Sequence, residues 1–340
     1  MSKFFDKTFV IAEIAQTHDG SLGVAHSYID AVAKTGANAI KFQTHIASEE
    51  STMEEPWRIK FSQQDASRYD YWKRMEFSFS HWKDLKAHAE EKGLIFMSSP
   101  FSVKAAELLN EIDIEIWKIS SGEITNPWLL EYVISTKKPI ILSTGMSMLN
   151  EIDLMVDYLK KKGVEFALLQ CTTKYPVKPE EIGLNMLTVF GEKYGIPVGL
   201  SDHSGTIIPS LAAATLGAKV IETHVCMSKE DFGPDVLASV TTTELKQMVD
   251  GIRAIEQIIS HPIDKDEISK KLMHTNLIFS KSVCAKRYIK KGTILTQDMI
   301  ALKKPGKGIP ANQIDKALGK KLCVEKNVDE FISLDEVEEV

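Results

Sequence analysis

Cysteine is scarce in this chain and unpatterned. Cys171, Cys226, Cys284 and Cys323 are the four among 340 residues, and no two are spaced as CxxC. That excludes a disulfide framework and predicts a reducing, cytoplasmic setting. Long apolar runs are missing too. None approaches the roughly 18 residues a membrane helix needs, and the opening MSKFFDKTFV has no signal-peptide pattern, so neither a membrane nor a secretory route is expected. Positive charge is in deficit, with 41 Lys and Arg against 47 Asp and Glu. A net charge of −6 argues against a broad nucleic-acid surface, while leaving room for a local basic patch around a small anion. Neither GxGxxG nor GxxxxGKS/T follows the first strand-like run, which argues against a nucleotide-binding sheet.

What is present is a regular alternation. Short apolar runs with strand character occupy 8–15, 38–43, 94–98, 116–120, 139–144, 166–172, 198–203 and 220–225. Segments with helical character follow them at 21–35, 80–92, 103–110, 127–136, 149–162, 186–194, 209–216 and 242–259. Eight β-then-α units is the number that closes a ring, so the expected class is α/β, a TIM (β/α)8 barrel, with an open doubly wound sheet as the alternative. The segment 44–79 breaks the rhythm; a connection that long is a functional loop or lid, or hides a short helix. After about residue 261 the texture changes to short β-like pieces such as SVCAKRYI and KLCVEK. The expected organisation is a barrel over 1–259, a linker with a short helix over 260–281, and a small β-rich domain over 282–340.

The stretch 197–226 organises the rest. It reads as strand, crossover helix and strand, which makes the two strands parallel. His203 and His224 then reach the same face of the sheet, at the strand ends where α/β folds keep their chemistry. Taken singly, each is an ordinary hydrogen-bonded imidazole. As a pair, with Asp202 and Glu222 beside them, they are candidate ligands for one divalent metal.

In a barrel all eight strand ends converge, and the polar residues there form one ring. They are Glu13, Lys41 with Gln43, Ser98 with Ser99, Lys118 with Ser120, Ser121 and Glu123, Ser143 with Thr144, Thr172 with Thr173 and Tyr175, Ser201 with His203, and His224. A Lys inside a strand is seldom buried without an anion. One such Lys pairs as readily with Glu13 or Glu123 as with a ligand; two on one rim among hydroxyls point to a bound phosphate or carboxylate. Weaker signals remain open. Trp57, Tyr69, Tyr71 and Trp72 either cover a sugar or pin the long segment, and His18 either binds substrate or satisfies a turn. Cys171 and Cys226 read as small buried hydrophobes.

The wording of these motifs (AEIAQTHDGS, IKFQTH, SSPFS, WKISSGEITN, ILSTGMS, LLQCTTKYP, GLSDHSG and IETH) resembles the sialic (nonulosonic) acid synthase family over about 8–240. The tail, with IKKGTIL, KKPGKGIP and ALGKKL, resembles that family's antifreeze-like (SAF) domain. The resemblance implies condensation of phosphoenolpyruvate with an open-chain N-acylated amino sugar, N-acetylmannosamine or a 2,4-diacetamido-2,4,6-trideoxyhexose, releasing phosphate by C–O cleavage. It implies that Lys41, Ser99, Lys118, Ser121 and Ser201 cradle phosphoenolpyruvate, and that His203 and His224 hold manganese or magnesium. Gln43, Thr173, Tyr175, Asp235 and Lys304 would face the amino sugar, and Glu13 and Glu123 would be the catalytic carboxylates. It further implies a domain-swapped homodimer, the small domain of one subunit reaching over its partner's barrel. Lys304 stands where many members carry Arg, Thr173 where many carry Asn, and Val236 where some carry His. Two other readings of the same residues are a non-catalytic carbohydrate-binding protein and a barrel aldolase with a Schiff base on Lys41.

Overall fold

Each apolar run is short enough to be one strand, and each is followed by a helix that covers its outer face. The computed structural model describes residues 3–340. Its first unit, Met1–Ser260, contains β1 (Phe9–Ala15), β2 (Ala39–Thr44), β3 (Ile95–Pro100), β4 (Trp117–Ile119), β5 (Ile140–Ser143), β6 (Phe166–Cys171), β7 (Val198–Asp202) and β8 (Val220–Cys226). These strands pair in parallel in the order β3-β2-β1-β8-β7-β6-β5-β4. β3 and β4 lie side by side without a hydrogen-bonded ladder among the described residues. The result is a nearly closed eight-stranded TIM barrel, not an open sheet.

The helices of this unit are α1 (Leu22–Ala33), α2 (Ala47–Glu50), α3 (Arg68–Met75), α4 (Phe79–Glu91), α5 (Val103–Glu111), α6 (Pro127–Ser135), α7 (Leu149–Lys162), α8 (Asn185–Tyr194), α9 (Ile208–Thr215) and α10 (Thr242–Ser260). Ser21, Ser67, Ser78, Ser102 and Asn126 cap the N-termini of α1, α3, α4, α5 and α6 by accepting a backbone N–H. Helices α2 and α3 lie in the segment 44–79, which therefore hides two helices and not one. A short strand, β9 (Ser239–Thr241), extends β8 in parallel from His224 onward, just where the β1–β8 pairing ends at Glu13 and His224.

Strand alternation sorts the side chains into two cores. Val10, Ala12, Ile40, Phe42, Trp117, Leu168 and Leu200 face the helices. Ile11, Ala39, Met97, Ile116, Ile141, Ala167, Leu169 and Val220 point inward and plug the barrel with Phe4, Phe5 and Phe9. Burying each large apolar side chain contributes about 1.5–3 kcal/mol. Two residues further along the same inward faces stand Glu13, Lys41, Ser99, Lys118, Ser143, Cys171, Ser201 and Glu222, all buried. The apolar plug is thus the floor of a polar layer. β7 and β8 approach closely enough that a Cβ on Gly199 would lie 2.1 Å from the Val220 carbonyl oxygen.

The second unit, His261–Val340, has two short helices where one was expected, α11 (Lys265–Lys271) and α12 (Met273–Phe279). They are followed by two antiparallel pairs, β10 (Ser282–Ala285) with β11 (Ile300–Lys303) and β12 (Lys321–Leu322) with β13 (Val337–Glu338). Val283, Ile289, Leu295, Ile309, Leu322 and Ile332 form its core. No helix among the described residues is long and apolar enough to cross a membrane.

Candidate active site

The polar layer is a chain of alternating charges. Lys41 Nζ lies 2.9 Å from Glu13 Oε2 and 3.5 Å from Glu222 Oε2, and Lys118 Nζ lies 3.7 Å from Glu222 Oε1. Ser99 accepts a hydrogen bond from Lys41 at 3.2 Å, Ser143 accepts one from Lys118 at 2.8 Å, and Ser201 donates to Glu222 at 3.1 Å. Burial alone would lower Lys41, but Glu13 and Glu222 on either side outweigh it and hold the ammonium charged. Lys118 has only Glu222 close by, and burial draws it down. The two carboxylates separate for the same reason. Burial, with Glu222 nearby, raises Glu13 against the pull of Lys41; Glu222, between two ammonium groups, is held below the usual carboxylate range despite its burial.

Above this layer stand the two imidazoles. The His203 and His224 ring centres are 5.2 Å apart at an interplanar angle of 67°. Burial pushes both down to about 3, helped at His203 by His224 and at His224 by Lys41, so both rings are neutral. His203 Nδ1 lies 2.9 Å from the Thr172 carbonyl oxygen, to which it donates; its Nε2 therefore carries the lone pair. His224 Nδ1 is buried without a hydrogen-bond partner. Two neutral rings, one with its tautomer pinned and the other with an unused nitrogen, fit a pair of ligands to one divalent ion. No group of three or more His, Cys, Asp or Glu gathers as a metal cluster among the described residues.

A cavity of about 400 Å³ opens over the layer. Of the residues expected at the site, it is lined by Glu13, Lys41, Gln43, Lys118, Ser121, Glu123, Thr173, Tyr175, Ser201, His203, His224 and Asp235. Ser99 does not line it and acts on it through Lys41. Ser121 accepts the Gly145 N–H at 2.9 Å, and Glu123 accepts from Asn126 at 2.8 Å while burial raises its carboxyl. Thr173 Oγ1 is buried with no partner. Tyr175 stacks on His203, with ring centres 4.1 Å apart and planes 22° apart. Lys304 belongs to the second unit, where its ammonium stands 5.0 Å over the Phe279 ring.

Several residues here were not singled out from the sequence. Glu222, two residues before His224, is the carboxylate between the two ammonium groups. Arg58, from the long segment, donates to Asp235 at 2.6 Å and stands 4.4 Å over the Tyr175 ring. Gln16, His45 and Glu50 also line the cavity. Tyr71 and Trp72 are buried with Trp57, Phe61 and Tyr69 packed against them, which pins the segment, and all but Tyr69 also line the cavity. His18 satisfies a turn, accepting the Gly20 N–H at 3.1 Å, and its ring packs 4.8 Å from Phe77. Cys171 is a buried wall residue whose thiol burial pushes up, disfavouring the thiolate.

Comparison with known proteins follows the same division of the chain. The NeuB family model matches residues 28–264 and the SAF domain model matches 280–338. The chain is 36% identical to the N,N'-diacetyllegionaminic acid synthase of Campylobacter jejuni, over 96% of this chain and 99% of that protein. It is 34% identical to human N-acetylneuraminate-9-phosphate synthase, over 95% of this chain and 91% of that one. The crystal structure of the N-acetylneuraminic acid (sialic acid) synthetase of Leptospira borgpetersenii superposes with a TM-score of 0.69 at 30% identity, covering 80% of this chain and 92% of that one. With most of the barrel inside the family model and such relatives matched nearly end to end, the chain belongs to the NeuB family.

Proposed function

We propose that the protein is a nonulosonic acid synthase that joins phosphoenolpyruvate to the open-chain aldehyde of an N-acylated amino sugar and releases phosphate. The observation that carries this reading is the meeting of two buried ammonium groups and two neutral imidazoles in one cavity. Lys41 and Lys118 attract the phosphate and carboxylate of phosphoenolpyruvate, with hydroxyls from Ser121 and Ser201 completing the cradle and Ser99 steadying Lys41. His203 and His224 would hold manganese or magnesium, which supplies Lewis acidity toward the aldehyde oxygen when bound.

The chain's own groups do the rest. The cradle holds the methylene carbon of phosphoenolpyruvate against the aldehyde carbon, so that a C–C bond forms as the carbonyl π bond opens. Water then adds to the oxygen-bearing carbon, a carboxylate passes one of the water's protons to the former aldehyde oxygen, and the C–O bond to phosphate breaks as the new hydroxyl becomes a carbonyl and its proton leaves with the phosphate. Burial raises Glu13 to about 7, which suits a group that holds and returns a proton near neutral pH, and it raises Glu123 in the same direction. A Schiff base on Lys41 is disfavoured, because its two carboxylate neighbours keep the amine protonated. A non-catalytic sugar-binding module would have no use for this charged layer.

Gln43, Thr173, Tyr175 and Asp235 face the acceptor in this reading. The wall above them is rich in apolar rings, Trp57, Phe61, Tyr71, Trp72 and Phe101, and both guanidinium groups in it are already paired, Arg58 with Asp235 and Arg68 with Glu55. Methyl-bearing, unphosphorylated acceptors are therefore favoured, the diacetamido trideoxyhexose ahead of N-acetylmannosamine. We further place the protein in the cytoplasm, which suits its four free thiols, and assign it a domain-swapped homodimer in which Lys304 of one subunit serves the barrel of its partner.

The test is an acceptor panel with phosphate release and product mass both measured, using phosphoenolpyruvate labelled with oxygen-18 in the bridging position. Metal-dependent release only with acceptor present, with the label leaving on phosphate, is expected. No release with any N-acyl hexosamine or diacetamido sugar overturns the reading.

A further inference from the structure

His45 is the buried polar side chain whose surroundings the synthase chemistry leaves unexplained. Its ring is sandwiched between Trp72, 4.0 Å away with planes 19° apart, and Phe101, 4.5 Å away with planes 12° apart. Both of its nitrogens are engaged. Nδ1 lies 2.5 Å from Glu50 Oε1, and Nε2 lies 2.7 Å from Gln16 Nε2 and 3.3 Å from Gln43 Oε1. Gln16 Nε2 also donates to Gln43 Oε1 at 2.6 Å, and Gln43 Nε2 donates to Glu13 Oε1 at 2.7 Å. A continuous hydrogen-bonded chain thus runs from Glu50, on α2, through His45, Gln16 and Gln43 to Glu13 on β1.

The direction of this chain is dictated by its two ends. A Glu13 carboxylate oxygen accepts, so Gln43 must turn its NH₂ toward it and its carbonyl oxygen away. That oxygen needs a donor, so Gln16 presents its NH₂. The same NH₂ meets His45 Nε2, which must therefore be the bare acceptor nitrogen, leaving the proton on Nδ1 for Glu50. With Glu13 ionised, this orientation satisfies every contact of 2.7 Å or less in the chain, and reversing any one group sets donor against donor or acceptor against acceptor there; the longer 3.3 Å approach of His45 Nε2 to Gln43 Oε1 is the one contact it leaves between two acceptors. With its oxygen occupied and one N–H committed to Glu13, Gln43 has a single N–H left for the cavity.

Resting on the synthase reading, we infer that His45 is a positioning residue: held in one tautomer by Glu50 and clamped by two aromatic rings, it locks Gln43 through Gln16 so that the amide steadies Glu13 and offers the acceptor sugar one donor. Glu50 and Trp72 both come from the segment 44–79, so this chain ties the ordering of that segment to the orientation of groups at the reaction centre. The ligand atom it selects is an oxygen lone pair on the acceptor, a hydroxyl or amide carbonyl, and not a hydroxyl proton.

Three variants and one spectrum test this. His45→Phe keeps the stack and removes both nitrogens. Gln16→Met cuts the chain one link further on without touching the stack, and His45→Gln keeps an acceptor oxygen near the Nε2 position. His45→Phe and Gln16→Met are each expected to lower kcat about 10- to 100-fold while the KM for phosphoenolpyruvate stays within about threefold of wild type, and His45→Gln to recover most of kcat. A kcat within about threefold of wild type in Gln16→Met, or His45→Gln as slow as His45→Phe, overturns the inference; should His45→Phe fail to fold, Gln16→Met decides alone. Independent of turnover, a nitrogen-15 spectrum of histidine-labelled wild-type protein, with His45 assigned by the signal His45→Gln loses, is expected to show a protonated Nδ1 and a bare Nε2. A protonated Nε2 breaks the chain and overturns the inference even in an active enzyme. The expected tautomer in a protein that releases no phosphate supports the chain and sinks the synthase reading instead.

Discussion

Lys41 and Lys118 are both buried ammonium groups on inward strand positions, yet they are not equivalent. Lys41 is shared by two carboxylates and Lys118 by one. Removing Lys41 leaves Glu13 and Glu222 facing each other in a buried layer, whereas removing Lys118 leaves Glu222 still paired. Lys41→Met should therefore cost about 3–5 kcal/mol of stability by urea unfolding, the scale of a broken buried pair. Lys118→Met should cost clearly less, but raise the KM for phosphoenolpyruvate about tenfold or more through loss of one charge-assisted contact. Equal destabilisation by the two substitutions would show that the charge alternation is misread. His18 gives a second prediction at this scale. Burial pushes it down to about 3, so below its ordinary value of about 6.5 the unfolded chain takes up a proton that the folded one refuses. Its contribution is complete above that value and is lost as pH falls. Between pH 7.5 and 5.5 the wild type should lose about 1.4 kcal/mol relative to His18→Asn, which keeps an acceptor for the Gly20 N–H without the titrating ring. Parallel stability–pH curves for the two proteins would contradict this.

Among the strands, β7 and β8 carry the most consequential contact, since they place Ser201, His203, Glu222 and His224. Their approach depends on the missing side chain at Gly199. A Cβ there would meet the Val220 carbonyl oxygen at 2.1 Å and Leu169 Cδ2 at 2.7 Å, and the backbone atom cannot rotate aside. Gly199→Ala should destabilise the barrel by about 3 kcal/mol or more in chemical denaturation. Surviving protein should bind manganese more weakly, because the two imidazoles ride on the strands that are forced apart. A variant as stable as wild type would mean that β7 shifts freely, and that the imidazole spacing is not set by this contact.

At the scale of the whole molecule, the proposed swapped dimer makes a prediction that no single chain can satisfy. Lys304→Ala carries an intact barrel, and His203→Ala carries an intact second unit. Coexpressed, they should form mixed dimers with one complete site each, and acceptor turnover should rise well above the sum of the separate variants. Simple addition of two weak activities, measured on purified mixed dimers, would confine Lys304 to its own subunit or to a structural role.

Much of this protein follows from local pattern alone. The alternation of apolar runs with helical segments counts out eight units, and the order of polar residues along those runs places Glu13, Lys41, Lys118, Ser201 and His224 in the ring at the strand ends without reference to any partner. Those properties are local, so one sequence suffices to read them. The pairings are another matter. Lys41 on β2 shares its charge with Glu222 on β8, two strands over and 181 residues away in the chain, and Arg58 finds Asp235 at a separation of 177. The Glu50–His45–Gln16–Gln43 chain likewise exists only once α2 lies against the mouth of β1 and β2. Which groups meet across such separations is decided by closure of the ring, and that depends on the summed packing of both cores and not on the spacing of any one motif.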